Sequence, residues 1–185
     1  MLKEPRPGRV KTRLARDIGT VEAAWWFRRR SARLIRELRD PRWTLRLAVA
    51  PDAEGMRSRV WPADLPRIPQ GQGDLGDRMV RILRSLPPGP ACIVGSDIPG
   101  ITRIRVAEAF TALGRAPSVL GPAPDGGYWL IGLRRTRVSA GLLEGVRWSA
   151  PQTLADTAET LEGPVARVAT LRDVDTLSDL RALRA

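Results

Sequence analysis

The chain has 185 residues, 43% hydrophobic and 28% charged, an ordinary globular composition with enough length for one domain around its own core. It has no histidine and one cysteine, Cys92, which excludes Ser-His-Asp and Cys-His catalysis, His-ligated zinc or iron, and an internal disulfide framework. A formal charge of +11 raises the question of nucleic acid, but two of the 31 basic residues are lysines and the remaining 29 arginines are spread through nearly every segment. A nucleic-acid surface would gather them on one face, so the skew reads as coding bias and nucleic acid is set aside as a partner. No apolar run approaches the roughly 20 residues of a membrane span, and no apolar stretch follows the basic start as in a signal peptide. A cytoplasmic protein is expected.

In chain order, Met1–Glu4 precede the turn Pro5-Arg6-Pro7-Gly8. A doubly wound sheet delivers its phosphate loop from a strand end, and four residues are too few for a central strand. The first strand is therefore expected to be truncated, with about 4–8 apolar residues encoded before Met1. A helix is expected from Thr20, as its cap, to about Arg39, with Val21, Trp25, Ala32, Ile35 and Leu38 on its inner face. Strands are expected at Leu45–Ala50, Ala91–Gly95, Ser118–Gly121, Tyr128–Leu133 and Val165–Leu171. Several are continuously apolar, as in strands covered on both faces. Further helices are expected at Asp74–Leu86, Arg103–Leu113, Pro151–Leu161 and Leu177–Leu183, with capping-box spacing at Ser149–Gln152. Strands alternating with helices predict a single α/β domain over residues 1–185: a three-layer α/β/α sandwich on a mostly parallel, Rossmann-like sheet. A local hairpin around Asp125-Gly126-Gly127 departs from that alternation.

Five segments carry residue types suited to chemistry. In Gly8-Arg9-Val10-Lys11-Thr12-Arg13, two cations bracket a hydroxyl near a helix start, an arrangement suited to a di- or triphosphate, although Walker A spacing is absent. The same residues also read as a basic surface turn. One of the chain's two lysines falls here, which favours function. In Ile93-Val94-Gly95-Ser96-Asp97 an apolar strand ends on a carboxylate, placing Asp97 at the sheet edge where α/β folds bind ligands. Oxygen ligation there suits Mg²⁺ or Mn²⁺; the alternative is an Asp capping the next helix. Asp125-Gly126-Gly127 permits close approach of backbone to a ligand, and is equally a good hairpin turn. In Asp173-Val174-Asp175-Thr176, Asp175 is a candidate second metal ligand, while Thr176 and Asp179 read as helix caps. Gly73, Asp74 and Arg78 form a Gly-rich helix entry able to approach a base or ribose.

The phrases PGRVKTRL, GDLGDRM, VGSDIPG, GPAPDGGYWLIGL, VRWSAPQTL and DVDTLSDL, in that order, resemble the bacterial DUF2064 family of the GT-A, nucleotide-diphospho-sugar transferase superfamily. The resemblance covers essentially the whole chain and implies a GT-A-like sandwich. It implies that Asp97, in the SD-x-P element, holds a divalent metal. The DVDT element resembles the ending of small nucleotidyltransferases, with Asp175 matched and Leu177-Ser178 in place of Pro-Glu. The basic loop is similar to the K-[ST]-R-L stretch of phospholactate guanylyltransferases, which implies Lys11 and Arg13 near phosphates. Gly8, Gly73, Asp74, Arg78, Gly126 and Gly127 would complete the nucleotide site, and Asp125 would orient or deprotonate the acceptor. The expected reaction is metal-dependent transfer from a nucleotide sugar to a small-molecule acceptor. Two alternatives stay open: nucleotidyl transfer from an NTP with release of pyrophosphate, and a non-catalytic nucleotide-binding relative.

Overall fold

The computed structural model describes residues 1–135 and 137–183. Its elements are, in order, β1 (Leu2–Lys3), α1 (Thr12–Ile18), α2 (Thr20–Glu37), β2 (Leu47–Ala50), α3 (Asp52–Arg57), β3 (Arg67–Pro69) and α4 (Leu75–Ser85). There follow β4 (Ala91–Val94), α5 (Arg103–Leu113), β5 (Ser118–Pro122), β6 (Tyr128–Leu133), α6 (Thr153–Glu159), β7 (Val165–Arg167) and α7 (Leu177–Ala182). The sequence pointed to a helix start near Thr12 without giving α1 bounds, and did not single out α3 or β3. β3 is three residues around a proline and α3 six around a glycine, too short for a periodic signal.

β1, β2 and β3 form a parallel sheet in the order β1-β2-β3. A second sheet runs β4-β6-β5-β7; β6 is antiparallel to both neighbours, and β5 and β7 are parallel. The expected hairpin is thus the β5–β6 connection. The two sheets meet where the Met1 ammonium donates to the Val94 carbonyl over 2.7 Å. Short as it is, β1 pairs in register with β2, Leu2 opposite Val49 and Lys3 opposite Ala50. The residues judged too few for a central strand do lie between β2 and β4.

Side-chain alternation explains the layers. Ala91 and Ile93 of β4, Leu120 of β5, and Ile131 and Leu133 of β6 pack on one face against Met79, Ile82 and Leu83 of α4. Cys92 and Val94, Val119, and Leu130 pack on the other face against Leu34 and Leu38 of the α2 end and Val106, Ala109 and Leu113 of α5. Strands buried on both faces carry no polar alternation, which is why they read as continuous apolar runs. Each fully buried Leu or Ile contributes about 1.5–3 kcal/mol relative to exposure.

Three local expectations are corrected. Gly19, not Thr20, caps α2. The buried face of α2 is Ala23, Ala24, Phe27, Ser31, Leu34 and Ile35, whereas Val21 and Trp25 are exposed. Ala24 and Phe27 pack with Leu2, Leu47 and Val49, so the buried face of the helix is set by that contact and not by the hydropathy of Trp25. Ser149 sits at φ 57 outside any helix, and α6 begins after Gln152 without a side-chain cap. Thr153 instead ties the turn, donating through Oγ1 to the Arg147 carbonyl at 2.6 Å.

Candidate active site

Because β4, β5 and β7 run in one direction and β1 adjoins β4, the segments after these four strands share one edge of the sheet. Lys11 follows β1, Asp97 follows β4, Asp125 lies in the turn after β5, and Asp173 and Asp175 follow β7. Residues up to 164 positions apart are thereby brought together.

Lys11 is the centre of the cluster. Its Nζ lies 2.8 Å from Asp97 Oδ2, 2.8 Å from Asp175 Oδ1 and 3.9 Å from Asp173 Oδ2. Its side chain is 5% exposed, and the ring of Trp26 covers the ammonium at 5.9 Å. Burial works to lower the Lys11 pKa, but the ion pairs with Asp97 and Asp175 outweigh it and hold the ammonium above its ordinary range. Lys11 caps α1 in a left-handed conformation, φ 46. A non-glycine residue held there costs of order 1–3 kcal/mol, a strain that tertiary contacts must offset. The Lys11 ion pairs are the contacts that do so.

Arg13 Nη1 adds a second cation, 2.9 Å from Asp175 Oδ2. Burial would raise the Asp175 pKa, but Lys11 and Arg13 hold it below the usual carboxylate range. Asp173 goes the other way: burial first, then the neighbouring Asp175 charge, pushes it up to about 6. The sequence assigned no role to Asp173; the signal was the Asp-x-Asp spacing, which puts both carboxylates on one side of an extended segment. Asp97 is not a helix cap, since Thr102 caps α5. Thr176 and Asp179 do form the expected capping box of α7, and Asp17 of α1 accepts from the Leu177 N–H at 3.1 Å.

A cavity of about 560 Å³ opens beside the cluster, with Arg13, Asp125, Asp173 and Asp175 on its walls. Gly127 N–H donates to Asp125 Oδ1 at 2.9 Å and fixes that carboxylate in the wall. Gly126 has φ 86, and a side chain there would collide with the Pro151 backbone. Its carbonyl accepts from Leu154 N–H at 2.7 Å, which holds segment 148–153 as the facing wall. Tyr128 and Trp148, not singled out from the sequence, also line the cavity. Burial drives the Tyr128 phenol far above its ordinary pKa, so it stays protonated.

The remaining candidates, Gly8, Gly73, Asp74 and Arg78, also make structural contacts. Asp74 caps α4 in a reciprocal box with Asp77 and accepts from Trp148 Nε1 at 3.1 Å, tying that helix to the cavity wall. Gly73 has φ 101, and Arg78 Nε returns to its carbonyl at 3.1 Å. Gly8 turns the chain at φ 75, while Arg6 and Arg9 on either side pair with Glu54 away from the acid cluster. Among the described residues no helix is long and apolar enough to cross a membrane.

A family model described as "Uncharacterized protein conserved in bacteria (DUF2064)" matches residues 34–150, more than half of the chain. The chain belongs to DUF2064. The matched region contains Asp74, Asp97 and Asp125, while Lys11, Asp173 and Asp175 lie outside it. A crystal structure described as a "putative nucleotide-diphospho-sugar transferase" from Desulfovibrio desulfuricans G20 superposes on this DUF2064 chain with a TM-score of 0.82 at 29% identity. The match covers 98% of this chain and 83% of that one. Rv0371c from Mycobacterium tuberculosis H37Rv matches with a TM-score of 0.58 at 17% identity, over 98% and 92% of the two chains. A homologue of it from Mycobacterium sp. strain JC1 matches at 0.55 and 21%, over 83% and 80%. These last two share the fold. No curated protein sequence matches the chain. The architecture is therefore a mixed α/β fold of the nucleotide-diphospho-sugar transferase type.

Proposed function

We propose that this protein is a transferase that takes a sugar from a nucleotide-diphospho-sugar and passes it to a small-molecule acceptor, assisted by a divalent cation. One observation carries the reading: carboxylates from two distant segments, Asp97 and Asp175, converge on the single buried ammonium of Lys11 at the rim of a cavity that also holds Asp125. Likeness to the Desulfovibrio protein supplies the donor class.

The residues present fit Mg²⁺ or Mn²⁺ in donor chemistry. Asp97 and Asp175 offer hard oxygen atoms at one common point, and Mg²⁺ is usually held by one or two carboxylates with substrate phosphates and water. Among the described residues no group of three or more acids surrounds a ready-made metal position, and the ammonium of Lys11 stands between the two carboxylates. A bound cation would supply charge neutralisation on the departing phosphates. The residues of the chain do the rest. Lys11, released from Asp97 and Asp175, and Arg13 pair with phosphate oxygens and stabilise the diphosphate as it leaves. Asp125 accepts the proton of the acceptor hydroxyl as its oxygen bonds to the anomeric carbon. The anomeric carbon–phosphate oxygen bond breaks with its electron pair leaving on the nucleoside diphosphate.

Calorimetric titration of the protein with UDP- and GDP-sugars and with the corresponding NTPs, each with and without Mn²⁺, tests this. Manganese-dependent binding of a nucleotide sugar supports the proposal. Tight binding confined to an NTP would replace it with nucleotidyl transfer, and no binding in any arm would leave a non-catalytic relative.

A further inference from the structure

The exposed side of α2 faces a groove outside the cavity of the proposed reaction. A groove of about 730 Å³ runs between α2 and α7, with Trp25, Trp26, Arg29, Arg30 and Arg33 on one wall and Leu180 on the other. Trp25 is 47% exposed, a large cost for an aromatic residue that the helix could have buried. Arg29 lies against the face of Trp25 at 5.3–5.7 Å together with Arg28, holding the indole upright in the groove wall.

The charge of this groove is unbalanced. Elsewhere arginines pair with carboxylates, as Arg39 does with Asp64 and Arg147 with Asp156. Among the described residues no ion pair engages Arg29, Arg30 or Arg33. Glu22 lies on the lining and forms no ion pair with them. Arg30 is partly buried: Nη2 donates to the Ile98 carbonyl at 2.6 Å, while Nε is buried without a partner. Three guanidinium groups outside any ion pair among the described residues, beside two indoles, match a ligand with an anionic group on a flat apolar body. The groove touches the acid cluster through Trp26, whose ring covers Lys11, but its lining is otherwise separate from that of the acid cavity. Ile98 faces the acid cavity while Pro99 faces the groove; Asp175 and Leu177 divide in the same way.

We infer that the α2–α7 groove is a second ligand site, selective for a small molecule carrying a phosphate or carboxylate on an aromatic or similarly flat apolar body. Arg30 and Arg33 hold the anion, and Trp25 and Trp26 hold the apolar body. The inference does not rest on the proposed transferase reaction.

The test uses phenyl phosphate, inorganic phosphate and phosphatidylserine vesicles as probes, with tryptophan fluorescence and calorimetry as readouts. Phenyl phosphate should bind saturably and more tightly than inorganic phosphate. Arg29 and Arg33 are exposed, so Arg29→Gln and Arg33→Gln should leave the fold intact by circular dichroism. Arg33→Gln should weaken phenyl phosphate by about tenfold or more, the range for loss of a charge-assisted contact. Trp25→Ala should weaken phenyl phosphate and leave inorganic phosphate unchanged. Asp125→Asn, in the other cavity, should bind phenyl phosphate as the parent does. Equal affinity of parent and Arg33→Gln, or loss of binding in Asp125→Asn, would place the anion elsewhere and overturn the inference. Binding to vesicles without binding to phenyl phosphate would make the groove a membrane-facing patch and equally overturn it.

Discussion

The Lys11 ammonium donates to the Asp175 carboxylate at 2.8 Å across 164 positions of sequence, and the contact closes the edge of the sheet where β1 and β7 deliver their loops. The same ammonium holds Asp97, so one cation bridges the two carboxylates, and Arg13 adds a second counter-charge on Asp175 alone. A divalent ion bound as proposed would have to compete with Lys11 for those carboxylates.

Lys11→Met keeps the side-chain volume and removes the charge. Asp97 and Asp175 are each 29% exposed, so water screens part of their repulsion and the loss should be about 2 kcal/mol rather than the 3–5 of a fully buried pair. Urea unfolding measures it. Millimolar Mn²⁺ should stabilise Lys11→Met more than the parent, because the carboxylates are then free. Equal stabilisation of both would show that the ion does not use Asp97 and Asp175.

Asp97→Asn should weaken manganese-dependent nucleotide binding about tenfold or more while leaving α5 intact, since Thr102 caps that helix. Calorimetry with and without Mn²⁺ reads both terms. A variant that binds as tightly as the parent would return Asp97 to a purely structural role.

Gly126→Ala forces a left-handed position onto a residue with Cβ and drives that carbon into the Pro151 backbone. The strain alone is about 1–3 kcal/mol. The segment carrying Trp148 must shift, so ligand affinity in the acid cavity should fall along with the melting temperature. Unchanged affinity in a destabilised variant would show that segment 148–153 does not form part of the ligand site.

In a polypeptide whose first residue is Met1, the terminal ammonium is buried against the Val94 carbonyl, and burial lowers its pKa from 8.0 to about 6. Between these two values the unfolded chain binds more protons than the folded one, so this group makes stability rise with pH from 6 to 8. The contribution is about 2–3 kcal/mol as an upper bound. Denaturant midpoints across that window, for the free and the Nα-acetylated chain, measure it. Acetylation should flatten the rise.

The sequence by itself determined the layers and most of their pieces. Apolar runs at 91–95, 118–121 and 128–133 read as strands covered on both faces and are strands within a residue of those bounds, and Arg103–Leu113 carried a helix with the bounds that the structure shows. Asp97 was legible too, because a carboxylate directly after a buried strand must lie at the sheet edge. What the sequence could not reveal was distance between segments. Lys11 and Arg13 looked like phosphate ligands, and only the adjacency of β1, β4 and β7 showed that they first meet Asp97 and Asp175. Asp173 gained its role from that same crossing. Trp25 was placed in the core by hydropathy and is exposed, because the face of α2 that packs inward is the one carrying Ala23, Ala24, Phe27 and Leu34. Local propensity and hydrophobic period act over a few residues and are written in the chain. Ion pairing across 164 positions depends on strand order, which only the folded sheet fixes.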